Sequence, residues 1–225
     1  MDLDFWRSKW ENNQIAFHEG TPNALLVKHL AQLDLNPGAR IFVPLCGKTK
    51  DIFWLLSQGF EVVGAEVSPL AVEHLFADLD LSPEMSDLGP LRKCSAPGID
   101  IFIGDIFEVT RERLGPVDAV YDRAALVALP EPLRARYAAH LVEISAAAPQ
   151  LLICFDYDQS LIAGPPFAVS PAHARMLYGA THDLRALDSV EVPGGLKGAC
   201  EAWERVLLLR RRSGEAAPTG ASTPS

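Results

Sequence analysis

What this 225-residue chain lacks narrows its function first. It has no apolar run near the roughly 18 residues of a membrane-crossing helix. It has no excess of positive charge; the net charge is −9. DNA, RNA and anionic membranes favour basic surfaces, so no nucleic acid and no membrane is expected as a partner. The four cysteines, Cys46, Cys94, Cys154 and Cys200, include no CxxC pair, and no histidine stands beside them at ligand spacing. Neither a disulfide framework nor a metal is expected. Cys154, inside "LLICF", reads as a core residue. The opening "MDLDFWRSKWENN" is acidic and then amphipathic, unlike a secretory leader, so the expected address is cytoplasmic. No internal repeat is visible.

Two nucleotide motifs are incomplete. "IFVPLCGKTKD" (41–51) ends in Gly47-Lys48-Thr49, like a phosphate-binding P-loop. That loop needs a first glycine at position 42, where Phe42 stands inside an apolar run. The turn is too short to wrap a triphosphate. The dinucleotide fingerprint G-x-G-x-x-G also fails, since only Gly47 is present.

What is present describes a globular domain: 48% apolar and 22% charged residues. Strands are predicted over 40–45, 60–67, 99–107, 117–126 and 150–158, separated by helices after Gly47, from Ser68 and over 130–148. Ser68 is a natural helix cap with Pro69 in the first turn. "DSVEVP" and "AWERVLLLRRR" read as a late antiparallel pair. The alternation implies a mostly parallel, seven-stranded α/β sheet with helices on both faces. "LSPEMSDLGPLRKCSAPG" (81–98) reads as a loop. "DFWRSKWENN" and "PNALLVKHLAQL" read as helices. Residues 1–38 are expected to form a helical lid continuous with a core domain of 39–212. The Pro/Gly-rich tail, 213–225, is expected to be disordered.

A parallel sheet binds its ligand at the carboxyl ends of its strands. Glu66 closes the second strand about 20 residues after the first turn, where such sheets place a ribose-binding acid. A carboxylate can accept from both hydroxyls of a diol. Asp105, followed by Ile106 and Phe107, suits an adenine slot. Each could equally be an ordinary strand-end acid. Together they describe an adenosine site without a phosphate train, and S-adenosyl-L-methionine is the cofactor that fits.

The segments "FVPLCGKTKDIFWL", "GFEVVGAEVSPLAVE", "YDRAALVAL" and "GPPFAV", with "FWRSKWENNQIAFHEGTPNALL" before them, resemble the thiopurine S-methyltransferase family. The match runs in order from about residue 5 to 210. The resemblance implies the Rossmann-like class I methyltransferase fold and a monomer. It implies transfer of a methyl group to sulfur of aromatic and heterocyclic thiols, thiopurines included. Bacterial members are also associated with selenium and tellurium oxyanions. Trp10, Leu45, Glu66, Ile106 and Arg123 match cofactor-contacting positions, and Gly47 lies in the same turn as Leu45. Phe17 matches an aromatic near both cofactor and acceptor. One departure stands out: "VPGGLKGACEAWE" lacks an arginine that the resemblance implies near the acceptor, with Pro193 and two glycines around that place.

Trp6 and Trp10, four residues apart, share a helix face and read either as a core stripe or as a lid. His18 reads as structural rather than as a base. Asp122 and Arg123 are the catalytic candidates, with Arg123 contacting cofactor or acceptor and Asp122 orienting it; the alternative is a local ion pair. Lys48 is a candidate partner for an anionic group. Aromatic thiols ionise readily, so no obligate base is expected. The rivals are a sister methyltransferase for halide, small thiols or a metalloid, a Rossmann oxidoreductase, and a non-catalytic nucleoside-binding module.

Overall fold

The computed structural model describes residues 3–15 and 18–213. In chain order the helices are α1 (Leu3–Glu11), α2 (Ala24–His29), α3 (Lys50–Ser57), α4 (Pro69–Asp78), α5 (Arg111–Leu114), α6 (Glu131–Ile144) and α7 (Pro171–Tyr178). The strands are β1 (Arg40–Pro44), β2 (Glu61–Glu66), β3 (Glu84–Asp87), β4 (Arg92–Ala96), β5 (Ile99–Ile103), β6 (Ala119–Arg123), β7 (Gln150–Tyr157), β8 (His182–Glu191) and β9 (Ala202–Arg211). All nine join one sheet in the order β3-β4-β5-β2-β1-β6-β7-β9-β8.

The central strands β5, β2, β1, β6 and β7 run parallel. They are apolar at successive positions because helices cover both faces. Along β1, Phe42 packs with Tyr137 and Leu141 of α6 and Tyr178 of α7. Its neighbours Ile41 and Val43 pack with Leu26 of α2, Leu55 of α3 and Leu75 of α4. Cys154 lies in the first of these layers, as its apolar setting implied. The chain leaves β1 for β2 on one side and returns to β6 on the other. The crossovers therefore diverge above the end of β1, which opens a crevice there.

The sheet has two more strands than the seven expected. Residues read as a loop, 81–98, form the antiparallel hairpin β3–β4 on the edge of β5. The signal is weak because β3 is wholly exposed and β4 buries only Cys94. Pairing with the open edge of β5 decides the structure there, rather than an alternating apolar pattern. "PNALLVKHLAQL" divides into α2 and a 3-10 turn over Leu30–Leu33. Residues 171–178, given no element by the sequence, form α7, which Ser170 caps by accepting from the His173 N–H. No helix among the described residues is long and apolar enough to cross a membrane.

Candidate active site

β1 ends at Pro44, and the chain then folds back sharply. Leu45 has φ +47° and Gly47 has φ +51°. Across the crevice, the residue after β6, Ala124, has φ +65°. Leu45 and Ala124 hold a left-handed conformation that costs a side-chain-bearing residue about 1–2 kcal/mol. Such strain collects at functional sites, and both residues line the same cavity.

That cavity has a volume of about 750 Å³ and sits over the carboxyl ends of β1, β2, β6 and β7. It is within the size range of small-molecule sites. At one end is Glu66, the last residue of β2 and almost wholly buried. Its Oε2 accepts from the Gly47 N–H at 2.8 Å and its Oε1 from the Ser68 N–H at 2.8 Å. Burial raises its pKa, against the downward pull of these N–H groups. A carboxylate has about four acceptor positions, so two remain for a ligand.

Gly47 has a second constraint. A Cβ there would lie 3.0 Å from Trp10 Cζ2, so the indole closes directly over the turn. Trp10 is buried, and with Phe5, Trp6 and Lys9 it brings α1 across the cavity as a wall. The α1 helix is held to the sheet side by Arg7, whose Nε donates to the Val67 carbonyl at 3.5 Å. Gly47→Ala is expected to push the indole aside and strain the turn. Affinity for S-adenosylhomocysteine should fall about tenfold, the equivalent of about 1.4 kcal/mol, as read by calorimetry.

The floor is built by residues that the sequence reading passed over. Asp51, in the first turn of α3, is buried and accepts from the Asn23 N–H at 2.7 Å and from the Tyr121 hydroxyl at 2.9 Å. This ties the N-terminal segment to β6. Burial, with Asp51 adjacent, pushes the Tyr121 hydroxyl well above its ordinary range.

The end formed by Val127, Ala128, Phe155, Pro165, Pro166 and Leu196 is apolar. The Pro165-Pro166 wall is held from behind. Tyr157 donates its hydroxyl to the Pro166 carbonyl at 2.7 Å, and Lys197 Nζ donates to the Pro165 carbonyl at 2.8 Å. Arg123 enters this end from the last position of β6 and is ion-paired with Glu19. His18 stands on the same cavity. Burial lowers its pKa, and Lys48 and Lys50 lower it further, so the imidazole is neutral near pH 7.

Residues 1–211 match the family model described as thiopurine S-methyltransferase (TPMT). A thiopurine S-methyltransferase of Xanthobacter autotrophicus is 60% identical over 212 residues, 94% of this chain and 100% of that one. One from Gluconobacter oxydans is 53% identical over 202 residues, 90% of this chain and 92% of that one. The chain belongs to the thiopurine S-methyltransferase family. It is an S-adenosylmethionine-dependent methyltransferase.

More distant solved structures share the fold. Magnesium protoporphyrin IX methyltransferase of Synechocystis, with bound S-adenosylmethionine, superposes with a TM-score of 0.61 at 15% identity. That alignment covers 94% of this chain and 98% of the other. A Burkholderia thailandensis N1-methyltransferase, solved with 1,6-didemethyltoxoflavin and S-adenosylhomocysteine, gives 0.60 at 15% identity over 92% and 86% of the two chains. The class I methyltransferase fold inferred from the sequence is the fold found.

Within this family member, Trp10, Leu45, Gly47, Glu66 and Arg123 converge on one cavity, and Trp6 lies beside them. The cofactor fits the residues present. Glu66 has acceptor positions to spare for a diol, and the bare Gly47 face lies under an aromatic ring suited to a sulfonium. Phe17 lies outside the described residues, as does the tail from 214 onward.

One sequence reading needs correction. Asp122 does not orient Arg123. Successive strand residues point to opposite faces, so Tyr121 and Arg123 face the cavity while Asp122 faces α6. Its Oδ1 accepts from the Leu126 N–H at 3.1 Å and its Oδ2 from the Tyr137 hydroxyl at 2.8 Å. Asp105 and Ile106 follow β5 at its carboxyl end and are not among the residues that line the cavity. Asp105 caps the 3-10 turn Ile106–Glu108 by accepting from the Phe107 N–H at 3.1 Å. Ile106 is buried in the core, and His140 Nε2 meets its carbonyl at 2.8 Å. Lys48 lines the cavity and also pairs with Asp78 at 3.5 Å, a carboxylate it shares with Lys50 at 3.1 Å.

Proposed function

We propose that this methyltransferase acts on the sulfur of planar aromatic or heterocyclic thiols of the thiopurine kind. The observation that carries the reading is the apolar, braced wall at the acceptor end. Phe155 and the Pro165-Pro166 segment, whose carbonyls are held by Tyr157 and Lys197, line the same cavity as Trp10. A planar ring gains by leaving water for such walls, at about 25 cal/mol per Å² of apolar surface. The names and high identity of the relatives support the same acceptor class.

Bound S-adenosylmethionine would supply a sulfonium-activated methyl group for in-line displacement by sulfur. The protein's part is placement. Glu66 would accept from the ribose diol, the Leu45–Gly47 turn would hold the amino-acid end and Trp10 would cover the sulfonium. Arg123 would border the acceptor, a place the family resemblance also implies for Phe17. The N-terminal segment before β1 would act as a lid on the core of 39–212, excluding water when both ligands are in place. Fixing sulfur in line with the methyl carbon is worth about 7–11 kcal/mol of barrier.

No strong base is required, because an aromatic thiol ionises readily. His18→Ala is therefore expected to lower kcat less than about tenfold, against the 10²–10⁴-fold typical of a general base. A loss near a thousandfold, with intact cofactor binding, would demand a catalytic base. The substrate test is radiolabelled methyl transfer to thiopurines, thiophenols, selenite and tellurite. Turnover of the oxyanions without turnover of any thiol would overturn this reading in favour of metalloid methylation. The protein is proposed to act as a cytoplasmic monomer, which light scattering and cell fractionation test directly.

A further inference from the structure

Arg123 stands at the acceptor end with a side chain only 10% exposed. A cation that far from water needs an anion or well-aimed dipoles beside it. Among the described residues its ion-pair partner is Glu19, which accepts from Nη2. The pair is asymmetric. Glu19 is 44% exposed and lies on the irregular segment between α1 and α2, whereas Arg123 is fixed at the end of a central strand. A second carboxylate, Glu204, lies opposite Phe155 in the β7–β9 ladder. Burial raises its pKa, while the Arg123 charge pulls it down. Lys197, another cation on this wall, donates to the Pro165 carbonyl. Arg123 thus pairs with Glu19, and with Lys197 and Glu204 counted this corner has no surplus positive charge on those groups.

Resting on the acceptor reading above, we propose that Glu19 is a specificity-determining residue. It occupies the Arg123 guanidinium as a built-in counter-ion, and so turns the site toward uncharged heteroaromatic thiols and against acceptors that carry a carboxylate. An anionic ring substituent would make a planar two-point contact with a free guanidinium. Here it must first displace Glu19, and it then faces the displaced carboxylate. Like charges brought together in an interface are strongly unfavourable. An uncharged ring needs no such exchange and packs against Phe155 and the two prolines with the ion pair intact. Because Glu19 is exposed, its partial release into water keeps the discrimination moderate, of about tenfold.

The test uses the full chain saturated with S-adenosylhomocysteine. Calorimetry measures binding of 2-hydroxybenzoate and of phenol to the wild type, Glu19→Gln, Arg123→Gln and the double variant. Glu19→Gln should raise affinity for 2-hydroxybenzoate relative to phenol about tenfold, with a much smaller gain in the Arg123→Gln background. The ratio of kcat/KM for 2-sulfanylbenzoate over thiophenol should shift the same way. An unchanged affinity ratio would overturn the proposal, as would failure of Glu19→Gln to bind 2-hydroxybenzoate at millimolar concentration. An equal gain in the Arg123→Gln background would also overturn it, since that outcome marks general repulsion rather than occupation of the guanidinium. Binding is read without turnover, so a protein that methylates no thiol fails the acceptor reading separately.

Discussion

Glu66→Ala is expected to cost roughly a hundredfold or more in affinity for S-adenosylhomocysteine, since hydrogen bonds to a charged group contribute about 1.5–3 kcal/mol each. The same change should also lower stability. Glu66 meets the N–H groups of Gly47 and Ser68, and burial hides all three from water. Each N–H left unpaired costs about 1–3 kcal/mol. Glu66→Gln keeps one acceptor oxygen and the volume, so its losses should fall between those of the wild type and alanine. Calorimetry with S-adenosylhomocysteine and a urea melt of the free protein separate the two roles. Reduced stability with unchanged nucleoside affinity would confine Glu66 to bracing the turn.

The second large effect concerns pH. Asp122 is fully buried, and burial pushes its pKa up to about 6, although Leu126 and Tyr137 donate to it. Its ordinary value is 3.8. Between those values the native state holds a proton that the unfolded chain has released. The stability linked to this proton is therefore fullest below pH 4 and is lost as pH rises through about 6. The whole change is on the order of 3 kcal/mol. Asp122→Asn removes the titration while keeping an oxygen to accept from the Leu126 N–H. Its stability relative to the wild type should therefore climb from pH 5 to pH 8. Urea unfolding at pH 5, 6.5 and 8 measures the difference. Parallel pH profiles for the two proteins would show that Asp122 does not titrate in this window.

This carboxylate also shows where one-dimensional reading stops. Asp122 and Arg123 are adjacent, and adjacency suggests a working pair. A β-strand sends neighbours to opposite faces, so one enters the core beside Tyr137 and the other the cavity beside Glu19. Asp105 and Ile106 likewise follow a central strand, yet one side chain caps a 3-10 turn and the other packs in the core. Their position at a strand end was legible, but their side-chain direction was not.

Sequence alone determined the parallel core, because fully covered strands must be apolar at every position and their helices amphipathic between them. It also determined the short turn at Gly47 and the acid at Glu66, since a missing glycine pattern and a spacing along the chain are one-dimensional facts. Only the tertiary structure brought Glu19 to Arg123, Asp51 to Tyr121 and Lys197 to Pro165, pairs 104, 70 and 32 residues apart. It alone showed that Trp10 closes on Gly47, and that an edge with little apolar pattern still recruits a hairpin. Contacts of that range follow from closing the crossovers over one sheet, and no local spacing in the chain encodes them.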